Sequence, residues 1–119
     1  MFNWFKKKKD DGANSVRDFS AINSHQKAID LYDKGELVKI HLMPLEFGGE
    51  DIAMNVLYAP EFVATFKGRF DKMIEQLLIE GKRLNYSAEP EYKGESFIPA
   101  KLHITVSGDS NFQETITIW

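Results

Sequence analysis

A chain of 119 residues is the size of one domain and leaves little room for two independent cores. Its 43% hydrophobic content, with nine Phe, supplies such a core, and the lack of cysteine excludes disulfides, thiolate metal sites and cysteine nucleophiles. The net charge of −3 is unevenly spread: residues 6–9 hold four of the fifteen Lys and Arg, leaving eleven cations against eighteen acids elsewhere, a net of −7.

An acidic body opposes generic duplex binding, which relies on neutralising phosphates, and it suits a basic protein partner. No run approaches the ~18 apolar residues of a membrane span. Near the N-terminus the charges follow the hydrophobic residues, the reverse of a secretory signal. A bacterial, cytoplasmic protein is expected, and the missing cysteines suit a reducing compartment.

Residues 1–18 are expected to form a tail. Phe2, Trp4 and Phe5 stand before the lysine run, and Asp10-Asp11-Gly12-Ala13-Asn14-Ser15 is rich in turn formers. Aromatics beside lysines are the composition of a peripheral membrane contact through residues 1–9, and equally of a frayed, solubilising terminus. Residues 1 to about 15 are expected to be dispensable for folding of a single domain over 19–119.

Within that domain a helix is expected over residues 20–34, with Ser20 or Ser24 as N-cap, Ile22, Ala28, Ile29 and Tyr32 inward, and Gly35 ending it. A strand over residues 37–43 places Val38, Ile40 and Leu42 on one face and Lys39, His41 and Met43 on the other. Gly48-Gly49 marks a turn before a second strand over residues 52–58. Residues 60–80 form the strongest helix, with Pro60 in the first turn and Gly81 beyond the end. Phe62, Phe66, Phe70, Ile74, Leu77 and Leu78 define its apolar stripe, expected to be core and not a ligand pocket. Lys67, Arg69, Asp71, Lys72, Glu75 and Gln76 decorate the rest.

Three strands finish the chain. Leu84, Tyr86 and Ala88 point inward in the first, Leu102, Ile104 and Val106 in the second, and Ile116 and Ile118 in the third. Gly108-Asp109-Ser110-Asn111 reads as the turn joining the last two, and Pro90, Gly94 and Pro99 mark an irregular loop before them. The fold class is α+β: a mostly antiparallel sheet of about five strands packed by two helices, in the order α-β-β-α-β-β-β.

One constellation points to chemistry. His41-Leu42, then Phe47-Gly48-Gly49, then Asn55 resembles the core of the ββα-metal non-specific DNA/RNA endonucleases found as toxin domains in bacteria. Gly81-Lys82, Pro90, Tyr92, Gly94 and Pro99 extend the likeness over residues 37–107. It implies His41 as general base on a water and Asn55 as ligand to a hydrated magnesium ion. The Asp-Arg-Gly run that precedes the family's His is here Val38-Lys39-Ile40, so the phosphate-holding Arg is absent. One His and one Asn make a poor site for a cation that prefers oxygen ligands. His25 and His103 are too scattered for a ligand set. Glu89 and Glu91 share one strand face but sit in solvent, and no phosphate-loop, dinucleotide or nucleophile-elbow motif occurs.

Small size, an acidic body and toxin-like features also resemble the cytoplasmic immunity proteins of bacterial polymorphic-toxin systems. That resemblance implies a non-enzymatic domain that binds a cognate toxin, with no cofactor, no metal and no catalytic residue. The alternative is a divergent magnesium-dependent nuclease using His41 and Asn55.

Overall fold

In a computed structural model of the chain, which describes residues 17–119, the first helix starts later than the sequence pattern suggests. The readings of residues 1–16 as tail or membrane contact lie outside the described residues. Helix α1 spans His25–Asp33, and Ser24 Oγ accepts a hydrogen bond from the Lys27 N–H at 3.2 Å as its N-cap. Ser20 does not cap it, because Phe19 to Ile22 closes a separate turn. Gly35, with φ +79°, sits just past the end as expected. The buried residues of α1 are Ala28 and Leu31, whereas Tyr32 lies against Tyr58, ring centroids 5.1 Å apart, and stays partly in solvent.

Strand β1, Val38–His41, pairs antiparallel with β2, Val56–Ala59. Both are shorter than expected. Residues 52–55 turn into the single 3-10 turn Ala53–Asn55 instead of extending, which leaves Ile52 and Met54 exposed. Helix α2, Glu61–Ile79, begins behind Pro60 with Glu61 in its first turn, where a carboxylate favours the dipole. Strands β3, Leu84–Glu91, β4, Lys101–Gly108, and β5, Phe112–Thr117, form a second antiparallel sheet in sequential order. The element order and α+β class are those expected. The five strands, however, divide two and three between separate sheets, and no ladder joins the two sets.

The sheets are joined by side chains. Ile40, Leu57 and Ala59 of the small sheet meet Leu102, Ile104 and Ile116 of the large one, together with Val63 of α2 and Ile118. A second cluster of Phe19, Ala28, Leu31, Leu37 and Ile98 holds α1 in place. The segment between β3 and β4 is irregular, as its prolines imply, yet Ser96, Ile98, Pro99 and Ala100 are all buried. Ser96 Oγ donates to the Phe19 carbonyl at 2.8 Å and accepts from the Ile98 N–H at 3.0 Å, so its burial leaves no polar atom orphaned. Among the described residues no helix is long and apolar enough to cross a membrane.

The expected stripe of α2 is corrected. Its buried residues are Val63, Lys67 and Ile74, with Phe70 and Leu77 half-buried, so the buried face is turned about one residue from the phenylalanine series. Phe62 and Phe66 are 43% and 53% exposed, and Leu78 also faces solvent. Tertiary contact explains the rotation: Val63 joins Ile40, Leu57 and Ala59 in the core, with Ala64 and Phe70 packed against it.

Candidate functional site

His41 ends β1, two residues after Lys39, so both side chains leave the same face of the strand. They meet Asp51, from the loop before β2: His41 Nε2 lies 2.9 Å from Asp51 Oδ1, and Lys39 Nζ donates to it at 3.2 Å. The hydrogen bond from His41 and then the bond and charge of Lys39 hold the Asp51 carboxyl below its ordinary range. In return Asp51 raises the Lys39 ammonium. The trio is a surface network that ties the 43–55 loop to the strand.

Asn55 does different work. Its Oδ1 accepts from the Met43 N–H at 2.8 Å, and its Nδ2 donates to the Met43 carbonyl at 3.0 Å and the Glu50 carbonyl at 2.8 Å. Both amide protons and the amide oxygen are thereby engaged by backbone, and none of these partners is shared with His41. Phe47-Gly48-Gly49 belongs to the same closure. Gly48, at φ +98°, ends the 3-10 turn Leu45–Phe47, and the Gly49 N–H returns to the Pro44 carbonyl at 3.0 Å. A Cβ on Gly49 would stand 2.0 Å from the Met43 carbonyl oxygen, so this residue must be glycine for the loop to close. Gly49→Ala is expected to cost about 1–3 kcal/mol in a urea melt, as forced overpacking does; an unchanged midpoint would show that the loop closes differently. Among the described residues no group of three or more His, Asp or Glu could hold a metal ion.

A cluster that sequence reasoning left on the surface lies across the same cleft. Lys67 is only 4% exposed, and its Nζ donates to Asp71 Oδ2 at 2.7 Å while lying 5.4 Å from the Tyr86 ring centroid. Tyr86 donates its hydroxyl to Asp71 Oδ1 at 2.5 Å, and Phe47 packs edge-on against its ring. Burial pulls the Lys67 ammonium below its usual range against the opposing pull of Asp71, and burial with the Asp71 charge pushes the Tyr86 phenol up. The i,i+4 spacing of Lys67 and Asp71 was legible, but it marks exposed pairs as often as buried ones. The cleft between β1, the 3-10 turn and α2 measures about 200 Å³ and is lined by Lys39, His41, Glu46, Lys67 and Asp71. Each lysine already faces its own carboxylate, so the cleft presents no uncompensated cation to a phosphate.

The other candidates stay apart. His25 opens α1 near Tyr58, whereas His103 bonds Glu91 at 2.8 Å and Thr115 at 3.1 Å on the open face of the large sheet. The bond from His103 lowers the Glu91 carboxyl, the opposite of what a general acid needs. Glu89 is exposed.

A larger concave feature is apolar. A groove of about 630 Å³ runs between α2 and the edge strand β5, walled by Phe66, Phe70 and Met73 on the helix and by Phe112 and Ile116 on the strand. Phe70 and Phe112 meet edge-on at 5.8 Å across its floor. Arg69 and Glu114 supply its charges, and Arg69 lies over the Phe66 ring at 5.8 Å. Phe66, expected to be core, thus lines a groove instead, while Phe70 packs against the core and borders the groove as well. Comparison with family models, with curated proteins and with solved structures yields no match.

Proposed function

We propose that this chain is a non-enzymatic protein-binding domain of the immunity type, which neutralises a basic toxin by covering part of its surface. The observation that carries the reading is the apolar strip of α2. Phe62, Phe66 and Met73 are 43%, 53% and 47% exposed on one side of the helix, and Phe66 and Met73 border a groove. Solvated apolar surface concentrated in this way marks an interface, with aromatic residues and Met as anchors. Residues 17–119 hold eleven Lys and Arg against sixteen Asp and Glu, and this excess favours encounter with a cationic partner.

The test is capture of partners by the wild-type protein and by a Phe66→Asp, Met73→Asp variant, followed by reassembly with the purified partner. The wild type is expected to form a complex with a cationic protein whose toxicity in a bacterial host it suppresses on co-expression. The variant is expected to bind at least about tenfold more weakly, the loss of one anchor. Equal binding by the variant would move the interface elsewhere. Plasmid DNA and RNA are expected to survive incubation with the protein and magnesium. Cleavage that disappears in His41→Ala would instead favour the nuclease reading, which asks for a free Asn55 amide.

A further inference from the structure

We infer that two copies of this chain pair through the edge of β5 and the α2–β5 groove, so that the free protein is a twofold dimer. The large sheet has two edges, and they differ. β3 carries Pro90 between Glu89 and Glu91, a proline and charges of the kind that blunt an edge against pairing. β5 has neither proline nor lysine, and among the described residues its backbone bonds only to β4. Outer N–H and C=O groups without partners are a template for another strand.

Side-chain parity then restricts the arrangement. Phe112, Glu114 and Ile116 share a face with Val106, Ile104 and Leu102, their partners on β4, and they border the groove under α2. A dyad between two antiparallel β5 strands stands perpendicular to the joined sheet and keeps both grooves on one side of it. Phe66 and Met73, half exposed in one copy, then lie beside their equivalents across the dyad. Opposed residues must share a face, which leaves two central registers. Centring on Glu114 sets two carboxylates directly opposite each other, whereas centring on Thr115 sets Glu114 against Ile116 of the other copy. The second register is favoured.

Charge agrees with parity. Arg69 and Glu114 stand in the groove walls, and neither takes part in an ion pair among the described residues. A groove holding one charge of each sign is complementary to itself: the dyad gives Arg69 of one copy to Glu114 of the other, and the reverse. The inference rests on the same groove as the binding reading. A partner must therefore displace the second copy, and its apparent affinity falls as the protein is concentrated.

Sedimentation equilibrium of the full chain from about 1 μM to about 1 mM needs no partner, so failure here is separate from failure of the binding reading. The expected result is a monomer–dimer equilibrium that stops at two copies. Arg69→Glu and Glu114→Arg should each weaken the dimer at least about tenfold, since each leaves the groove with two charges of one sign. An equimolar mixture of those two variants should restore the dimer, because every pair across the dyad is then opposite in sign. Thr115→Lys, on the solvent face of β5, should abolish pairing by opposing two ammonium groups, with urea melts confirming that each variant stays folded. A wild type that stays monomeric throughout would overturn the inference and leave the groove to the binding partner alone. So would a folded mixture that remains monomeric, a dimer that survives Thr115→Lys, or association that grows past two copies, because an isologous contact closes on itself.

Discussion

Asp71→Ala is expected to destabilise the fold by about 3–5 kcal/mol, the cost of leaving a buried cation without its counter-charge. Lys67 is 4% exposed, and the same substitution removes the acceptor of the Tyr86 hydroxyl. Lys67→Met should behave quite differently. It removes the desolvated charge and fills the same path with apolar atoms, and Asp71, 18% exposed, keeps contact with water and with the Tyr86 hydroxyl, so a loss of less than about 1.5 kcal/mol is expected. Urea denaturation of both variants provides the comparison. Equal, small losses would mean that the Lys67 ammonium reaches water and that the cluster is a surface pair.

Phe19→Ala is expected to cost about 3–5 kcal/mol, as buried aromatics do when a cavity is left. The residue is 1% exposed, packs edge-on against Trp119, and joins α1 to the buried Ile98. Phe66→Ala, made in parallel, should change stability by less than about 1 kcal/mol, because the ring is half in solvent already. Thermal melts of the two variants decide which phenylalanine is structural. A large loss from Phe66 with little from Phe19 would restore the stripe of α2 to the core.

That contrast shows how far hydrophobic spacing carries. Alternation located β3, β4 and β5 well, because each has one face on the core, and Leu102, Ile104 and Val106 are all fully buried. Periodicity also located α2, but its rotation escaped. Val63, Lys67, Phe70, Ile74 and Leu77 share the helical spacing with Phe62 and Phe66, and only tertiary contact selects between neighbouring faces. A lysine on the inward face argues against that face until Asp71 and Tyr86 are placed beside it. The site was legible in a similar, partial way. His41 and Asn55 do lie at adjoining ends of one ladder, the Leu42 N–H donating to the Asn55 carbonyl at 2.9 Å. Their side chains nonetheless take different partners in the loop between them, His41 the Asp51 carboxylate and Asn55 the backbone of Met43 and Glu50, and no residue pattern displays backbone carbonyls. The groove escaped for the opposite reason: aromatic residues at helical spacing read as interior wherever they occur.

The bond from Ser96 Oγ to the Phe19 carbonyl spans 77 residues of chain. Loop closure over such a separation is entropically expensive and is deferred in folding, whereas the adjacent ladders of β3, β4 and β5 need only local turns. During synthesis Phe19, Leu31 and Leu37 emerge first yet lack Ile98, their central neighbour, until most of the chain has been made. The nascent N-terminal third therefore spends its early life with unshielded apolar side chains. A refolding experiment should detect the same order, with amide protection in the three-stranded ladder preceding protection in α1.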